Sequence, residues 1–296
     1  MQNGRARLHG GRGLTAAIVG WRPQGGDRVG LGASGNPFGR GTPEARASTS
    51  VDAWSRIDVD GHCCLAFAPQ QPSPHGYTVV YLHDELATPL EEHAVFGQLF
   101  EQYGLRAITP VTGRSWWTDR VWPPFDAERS AQRYLIEGLL PWLARHWQVA
   151  SPRIALLGVG MGGQGALRLS FKHPSLFPTV AAIAPAIDCH VAMEQGDPTL
   201  GALYRDPEQA RQDTATLHIH PLNWPRNQWF CCDPADYPWF DAADRLRMKL
   251  YSLGVPYDAD LETTGGGHSW EYFERMAEPA IRFLAERLER ERLRIV

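Results

Sequence analysis

With 296 residues, a formal net charge of −4, and 43% hydrophobic against 21% charged residues, the chain has the make-up of an ordinary globular protein with a full core. Mild acidity without a dense Lys/Arg cluster argues against a nucleic-acid surface or a polybasic membrane patch, and no stretch approaches the roughly 20 apolar residues of a membrane span. The segment Leu14–Val19, behind a basic start, is too short for the apolar core of a signal peptide. The five cysteines, Cys63, Cys64, Cys189, Cys231 and Cys232, form two adjacent pairs and an odd remainder. That is neither a disulfide framework nor a zinc spacing, so they read as strand-buried thiols in a reducing cytoplasm.

Residues 1–50 are rich in Gly, Arg, Ser and Pro and lack apolar periodicity, which predicts a loosely packed arm with short strands at most near Ala16–Gly20. Residues 51–296 form the domain proper. Arg56–Val59 and Cys63–Phe67, separated by Asp60-Gly61, predict a hairpin. A buried strand follows at Tyr77–Leu82, then a helix at Glu91–Tyr103 and a strand at Leu105–Pro110. Ala127–Trp147 has helical spacing, with Pro141 expected to kink or break it. The strand Arg153–Leu157 runs into a glycine-rich turn and a helix that ends near His173-Pro174. Thr179–Ala184 is a further strand, and Ile187-Asp188 opens a proline-containing excursion that contains a short helix at Asp206–Gln212 and a strand-like Leu217–His220. A strand at Gln228–Cys232, a helix at Phe240–Leu253, a strand at Tyr257–Thr263 and a helix at Glu278–Arg292 complete the chain. A hairpin followed by β/α alternation predicts an α/β fold: a doubly wound, mostly parallel sheet with an antiparallel N-terminal edge. Ligands of such sheets bind at the carboxyl ends of the strands.

Two segments at predicted strand ends carry the chemistry. Gly158-Val159-Gly160-Met161-Gly162 has the form of the G-x-S-x-G nucleophile elbow, where a serine is raised on a tight strand-to-helix turn; here the central position is Gly160. Gly265-Gly266-Gly267-His268 places a histidine directly after a strand, where a base would act. An imidazole base needs a carboxylate to hold its tautomer, and in this fold the order along the chain is nucleophile, acid, histidine. Asp236, three residues before Trp239, is the first choice of acid; Asp233 is the alternative, or a residue that turns the loop or caps the helix.

The segment Gly158-Val159-Gly160-Met161-Gly162-Gly163-Gln164-Gly165-Ala166-Leu167-Arg168 resembles the G-x-S-M-G-G-x-G-A segment of the putative esterase family, which includes esterase D, S-formylglutathione hydrolases and feruloyl-esterase-like enzymes. Lys172-His173-Pro174 with Phe177, the loop Cys231–Asp236 with Trp239, and Gly266-Gly267-His268-Ser269-Trp270-Glu271-Tyr272 are similar to the family's other motifs. The resemblance spans roughly residues 54–290. It implies an α/β-hydrolase fold and, in intact members, hydrolysis of carboxylic esters or thioesters without metal or organic cofactor. It assigns the base to His268, the acid to Asp236 and one oxyanion donor to the Met161 N–H. The second donor belongs to the loop after Tyr77–Leu82, at Asp84. There the family shows His-Gly and this chain reads His83-Asp84-Glu85, two acids that would oppose a developing oxyanion.

Gly160 suits a strained turn but removes the attacking oxygen. The expected function is therefore that of an esterase-family protein impaired or inactive as a serine esterase. Three readings follow: a pseudo-esterase that binds a ligand without turnover; a slow hydrolase in which His268 and Asp236 activate water; or a displaced nucleophile, Ser269 or Ser115. The expected ligand is a small ester or acyl compound, walled by Trp116, Trp117 and Trp270, with room for a homo-oligomer and no nucleic-acid or membrane partner. His218 and His220 would share one face of an extended segment; hydrogen-bonded histidines are the simpler reading than metal ligands.

Overall fold

The computed structural model describes residues 53–237 and 239–294, so the readings made for residues 1–50 lie outside the described residues. β1 (Trp54–Val59) and β2 (His62–Phe67) form the expected hairpin, paired from Trp54↔Phe67 to Val59↔His62. Asp60 and Gly61 turn it with φ of 55° and 83°, the paired positive angles that a two-residue turn of matching twist requires. The remaining strands are β3 (Thr78–Leu82), β4 (Arg106–Pro110), β5 (Ile154–Val159), β6 (Thr179–Ile183), β7 (Asn227–Cys231) and β8 (Asp258–Asp260). They join one eight-stranded sheet in the order β1-β2-β4-β3-β5-β6-β7-β8. Only the pairings β1–β2 and β2–β4 are antiparallel; all others are parallel.

Alternation along the strands assigns each face its core. Val79, Tyr81, Leu157, Val159 and Ile183 face α1 (Ala94–Gln102) and the long C-terminal α8 (Trp270–Arg292) through Phe96, Phe100, Tyr272 and Ile281. Their neighbours Val80, Leu82, Leu156 and Val180 face the opposite layer. That layer includes α2 (residues 131–146), α3 (Met161–Lys172) and α7 (Trp239–Ser252). Three short helices, α4 (Cys189–Glu194), α5 (Pro198–Leu203) and α6 (Pro207–Gln212), lie in the excursion after β6. Parallel strands covered on both sides read as continuous apolar runs, which is why β3, β5 and β6 stand out in the sequence.

Several expectations are corrected. Of the kink or break expected at Pro141, the break does not occur: Ala131–Arg133, Tyr134–Leu139 and Leu140–His146 run on, the middle segment being a π-helix that precedes the proline. Widening the turn there accommodates a residue with no N–H to donate. The helix expected at Glu91–Tyr103 is a 3-10 turn at Leu90–Glu92 followed by α1. Leu217–His220 is not a strand, because Ala215–His218 is a 3-10 turn. The last helix starts at Trp270 rather than Glu278, with Pro279 inside it. Among the cysteines, Cys63 is exposed and Cys189 lies on a helix; Cys64, Cys231 and Cys232 are the buried thiols on or beside strands.

The helix that matters most is α3, because it carries the elbow. It is pressed so tightly onto the sheet that a β-carbon on Gly162 would lie 1.9 Å from the Leu82 carbonyl oxygen in β3. Nothing larger than hydrogen fits. Gly162→Ala is expected to cost about 3 kcal/mol or more in urea-denaturation stability. A loss under about 1 kcal/mol would show that α3 can move off β3 freely.

Candidate active site

The carboxyl ends of β3, β5 and β7 and the loop before α8 converge on one point. At its centre the chain leaves β5 through Gly160, whose φ of 52° and ψ of −120° are those of a strained elbow. The turn is held by the Gly160 N–H donating to Ile183 O at 3.1 Å, while Gly160 O accepts from the Ala186 N–H at 2.9 Å and the Gln164 N–H at 3.2 Å. The frame of a nucleophile elbow is thus complete without a side chain in it.

The loop after β7 carries both candidate acids. Asp236 is fully buried, and its Oδ2 meets Nδ1 of His268 at 2.8 Å. Asp233 serves the backbone instead: its Oδ2 accepts from the N–H groups of Gly265 (2.6 Å) and Gly267 (2.8 Å), and its Oδ1 accepts from Ala235 N–H (2.8 Å). It thereby ties the acid loop to the histidine loop and aims His268. The imidazole rests edge-on against Phe273, 5.1 Å between ring centres, with Trp239 at 6.5 Å. Its Nε2 points at the elbow: a β-carbon on Gly160 would stand 3.2 Å from it.

The loop after β3 provides what sequence reasoning did not foresee. His83 is buried; its Nε2 accepts from the Thr112 N–H at 3.1 Å, so Nδ1 carries the proton and donates to Asp84 O at 2.7 Å. Burial also lowers its pKa, which keeps the ring neutral. Asp84 turns away from the elbow, its carboxylate accepting from the Thr88 N–H at 2.9 Å and the Thr88 hydroxyl at 3.1 Å. This tight turn sends Glu85 inward. Its Oε2 would lie 3.0 Å from a β-carbon at Gly160 and accepts from the Met161 N–H at 3.4 Å. Its Oε1 stands 3.7 Å from His268 Nε2. Of the two acids flagged in this loop, Glu85 reaches the elbow and the Asp84 carboxylate turns to Thr88.

The electrostatics follow from these contacts. Burial opposes a charge on Glu85, but the facing His268, its own backbone N–H and that of Met161 outweigh it and hold the carboxyl below its usual range. Burial likewise opposes a charge on His268, yet the Asp236 and Glu85 carboxylates on its two sides push its pKa up to about 9. His268 thus lies between Asp236 and Glu85, and the Glu85 carboxylate stands at the amino end of α3, where a helix favours negative charge.

A family model described as Putative esterase matches residues 63–278. The chain belongs to that family. Among solved structures, the fold is similar to a ferulic acid esterase, at 16% identity and a TM-score of 0.62 over 79% of this chain and 97% of that one. An S-formylglutathione hydrolase from Agrobacterium tumefaciens matches at 18% identity and a TM-score of 0.62, over 79% and 94%. The esterase LipW from Mycobacterium marinum matches at 17% identity and a TM-score of 0.59, over 81% and 84%. A search of curated proteins returns no match.

The other residues singled out in the sequence lie as follows. Trp117 is fully buried, packed over Gly165, with its Nε1 donating to His83 O at 3.2 Å. Trp116 is buried beside it, both with left-handed backbone at φ 52°. Trp270 stacks on His93 at 3.6 Å between ring centres. Ser269 caps α8, accepting from the Tyr272 N–H at 3.3 Å, and Ser115 donates to Thr112 Oγ1 at 2.8 Å. Neither hydroxyl contacts His268. His218 meets Asp213 Oδ1 at 3.0 Å and His220 Nδ1 accepts from the Leu222 N–H at 3.2 Å. Among the described residues, no helix is long and apolar enough to cross a membrane.

Proposed function

We propose that this member of the family is a ligand-binding pseudo-esterase: it keeps the base, the acid and the elbow of an esterase but does not form a serine acyl-enzyme. The reading rests on one observation, the Glu85 carboxylate lodged beside Gly160 on the oxyanion-donor N–H of Met161. A tetrahedral oxyanion would have to form where a carboxylate already sits, and the two charges repel. His268, backed by the buried Asp236, and the Met161 N–H would then hold a small acyl ligand in place.

The water-activating alternative fares less well. A general base must be unprotonated, and with its pKa raised to about 9 His268 is charged at neutral pH. Turnover of p-nitrophenyl acetate at pH 7 tests the proposal. The wild-type rate is expected to lie within about two-fold of a His268→Ala control, because general-base catalysis, where it operates, contributes roughly 10²–10⁴-fold. A drop of 100-fold or more on removing His268 would overturn the reading and make the protein a hydrolase.

A further inference from the structure

Glu85 is a poor fit to the groups that hold it. The Met161 N–H reaches Oε2 only at 3.4 Å, and Nε2 of His268, 3.7 Å from Oε1, is buried with no hydrogen-bond partner. Strong charge-assisted hydrogen bonds lie near 2.7–2.9 Å, so both donors are left under-satisfied. The cause is the tether. Glu85 hangs from a loop whose course is set by His83 bonding to Asp84 O and by Asp84 bonding to Thr88. A carboxylate free of that backbone could approach both donors at once, entering the space that the absent Gly160 side chain leaves. Glu85 can also leave: its side chain is about one-third exposed, and water would solvate it outside.

We propose that the elbow is a binding site for a small monocarboxylate, with the Met161 N–H and Nε2 of His268 as its two anchors and Glu85 as an internal competitor that must swing out when the ligand enters. The occupant is inferred from the chemistry present. The Met161 N–H and His268 Nε2 already face one carboxylate, at 3.4 and 3.7 Å. The half-buried Trp239, its ring centre 6.5 Å from that of the imidazole, offers an apolar surface beside it, which suits an aliphatic or aryl acid better than a dianion. The proposal rests on the reading that the slot binds rather than turns over. Its ligand is the acid half of the esters that intact relatives would cleave.

Calorimetric titration with sodium benzoate tests this, with benzamide as the neutral isostere. Glu85→Ala should bind benzoate at least about ten-fold more tightly than the wild type, since the competitor is gone, and should not bind benzamide measurably. Glu85→Gln keeps the volume and removes the charge; it should also gain affinity, and it carries the test if the alanine variant does not fold. Adding His268→Ala to either variant should abolish the gain. Equal benzoate affinity in wild type and both Glu85 variants would overturn the proposal, as would benzamide binding as well as benzoate, or a gain that survives loss of His268. No ester is present in these titrations. Turnover of p-nitrophenyl acetate would therefore sink the pseudo-esterase reading alone, whereas absent benzoate binding would sink the carboxylate site alone.

Discussion

Gly160→Ser combined with Glu85→Ala is expected to hydrolyse p-nitrophenyl acetate about 10³-fold faster than the wild type, while Gly160→Ser alone stays about 10²-fold below the double variant. The first figure is a cautious share of the roughly million-fold that a triad nucleophile is worth where it has been dissected. The second follows from the position of Glu85. A serine β-carbon would come within 3.0 Å of Oε2 and 3.2 Å of His268 Nε2, so the new hydroxyl would meet its base but also a carboxylate on the oxyanion donor. Losing one oxyanion donor costs about 10²–10³-fold, and filling it with negative charge should cost no less. The serine must also adopt the φ of 52° that glycine tolerates, at about 1–3 kcal/mol of stability. Rates with and without a third change, His268→Ala, complete the test, since that change should return the double variant to the wild-type level. A folded double variant no faster than the wild type would mean that more than these two residues separates this site from an esterase. A single variant as fast as the double would mean that Glu85 is no obstacle.

The second expectation concerns pH. His268 has its pKa raised to about 9, from about 6.5 when unfolded, so the folded state binds the proton more tightly. The stability this contributes is therefore fully present below about pH 6.5 and is lost as pH rises through about 9. At about 1.36 kcal/mol per pH unit, the full effect is on the order of 3 kcal/mol. Glu85 has the opposite sign: its lowered pKa contributes stability above the usual carboxylate range that is lost on acidification through the folded value. The charged groups facing His268 are Asp236 from the acid loop and Glu85 from the loop after β3. Urea-denaturation free energies at pH 6 and pH 10 should fall further for the wild type than for His268→Gln, the difference being about 3 kcal/mol. Glu85→Gln should lower the His268 titration midpoint in proton NMR. A midpoint near 6.5 in the wild type would show that the carboxylates do not hold the imidazolium, and would reopen water activation.

Much of this molecule is legible in its sequence because its signals are local. Continuous apolar runs mark β3, β5 and β6, Asp60-Gly61 marks the hairpin, and the glycines from 158 to 165 mark a turn and a close helix–sheet approach. Asp236 could be preferred to Asp233 by motif spacing, though only the coordinates show one carboxylate on the imidazole and the other on the backbone N–H groups of Gly265 and Gly267. Leu217–His220 misled because alternating apolar and polar residues over four positions fit a 3-10 turn as well as a strand. At Pro141 only the break was not realised, because a helix can widen by a π segment ahead of the proline and run on.

By itself the sequence determined the order of strands and helices, the glycine in the nucleophile's place, and a histidine and an acid at strand ends. Each depends on residue type and near-neighbour spacing alone. Only the tertiary structure decided what fills the slot. Asp84 and Glu85 are adjacent acids beside the same site, and residue type cannot say which one enters it. The choice depends on the His83 tautomer set by Thr112, on Thr88 capturing Asp84, and on α3 bringing the Met161 N–H to face the loop. Those contacts join residues far apart in the chain, so the physical identity of the elbow's occupant exists only once the sheet has assembled.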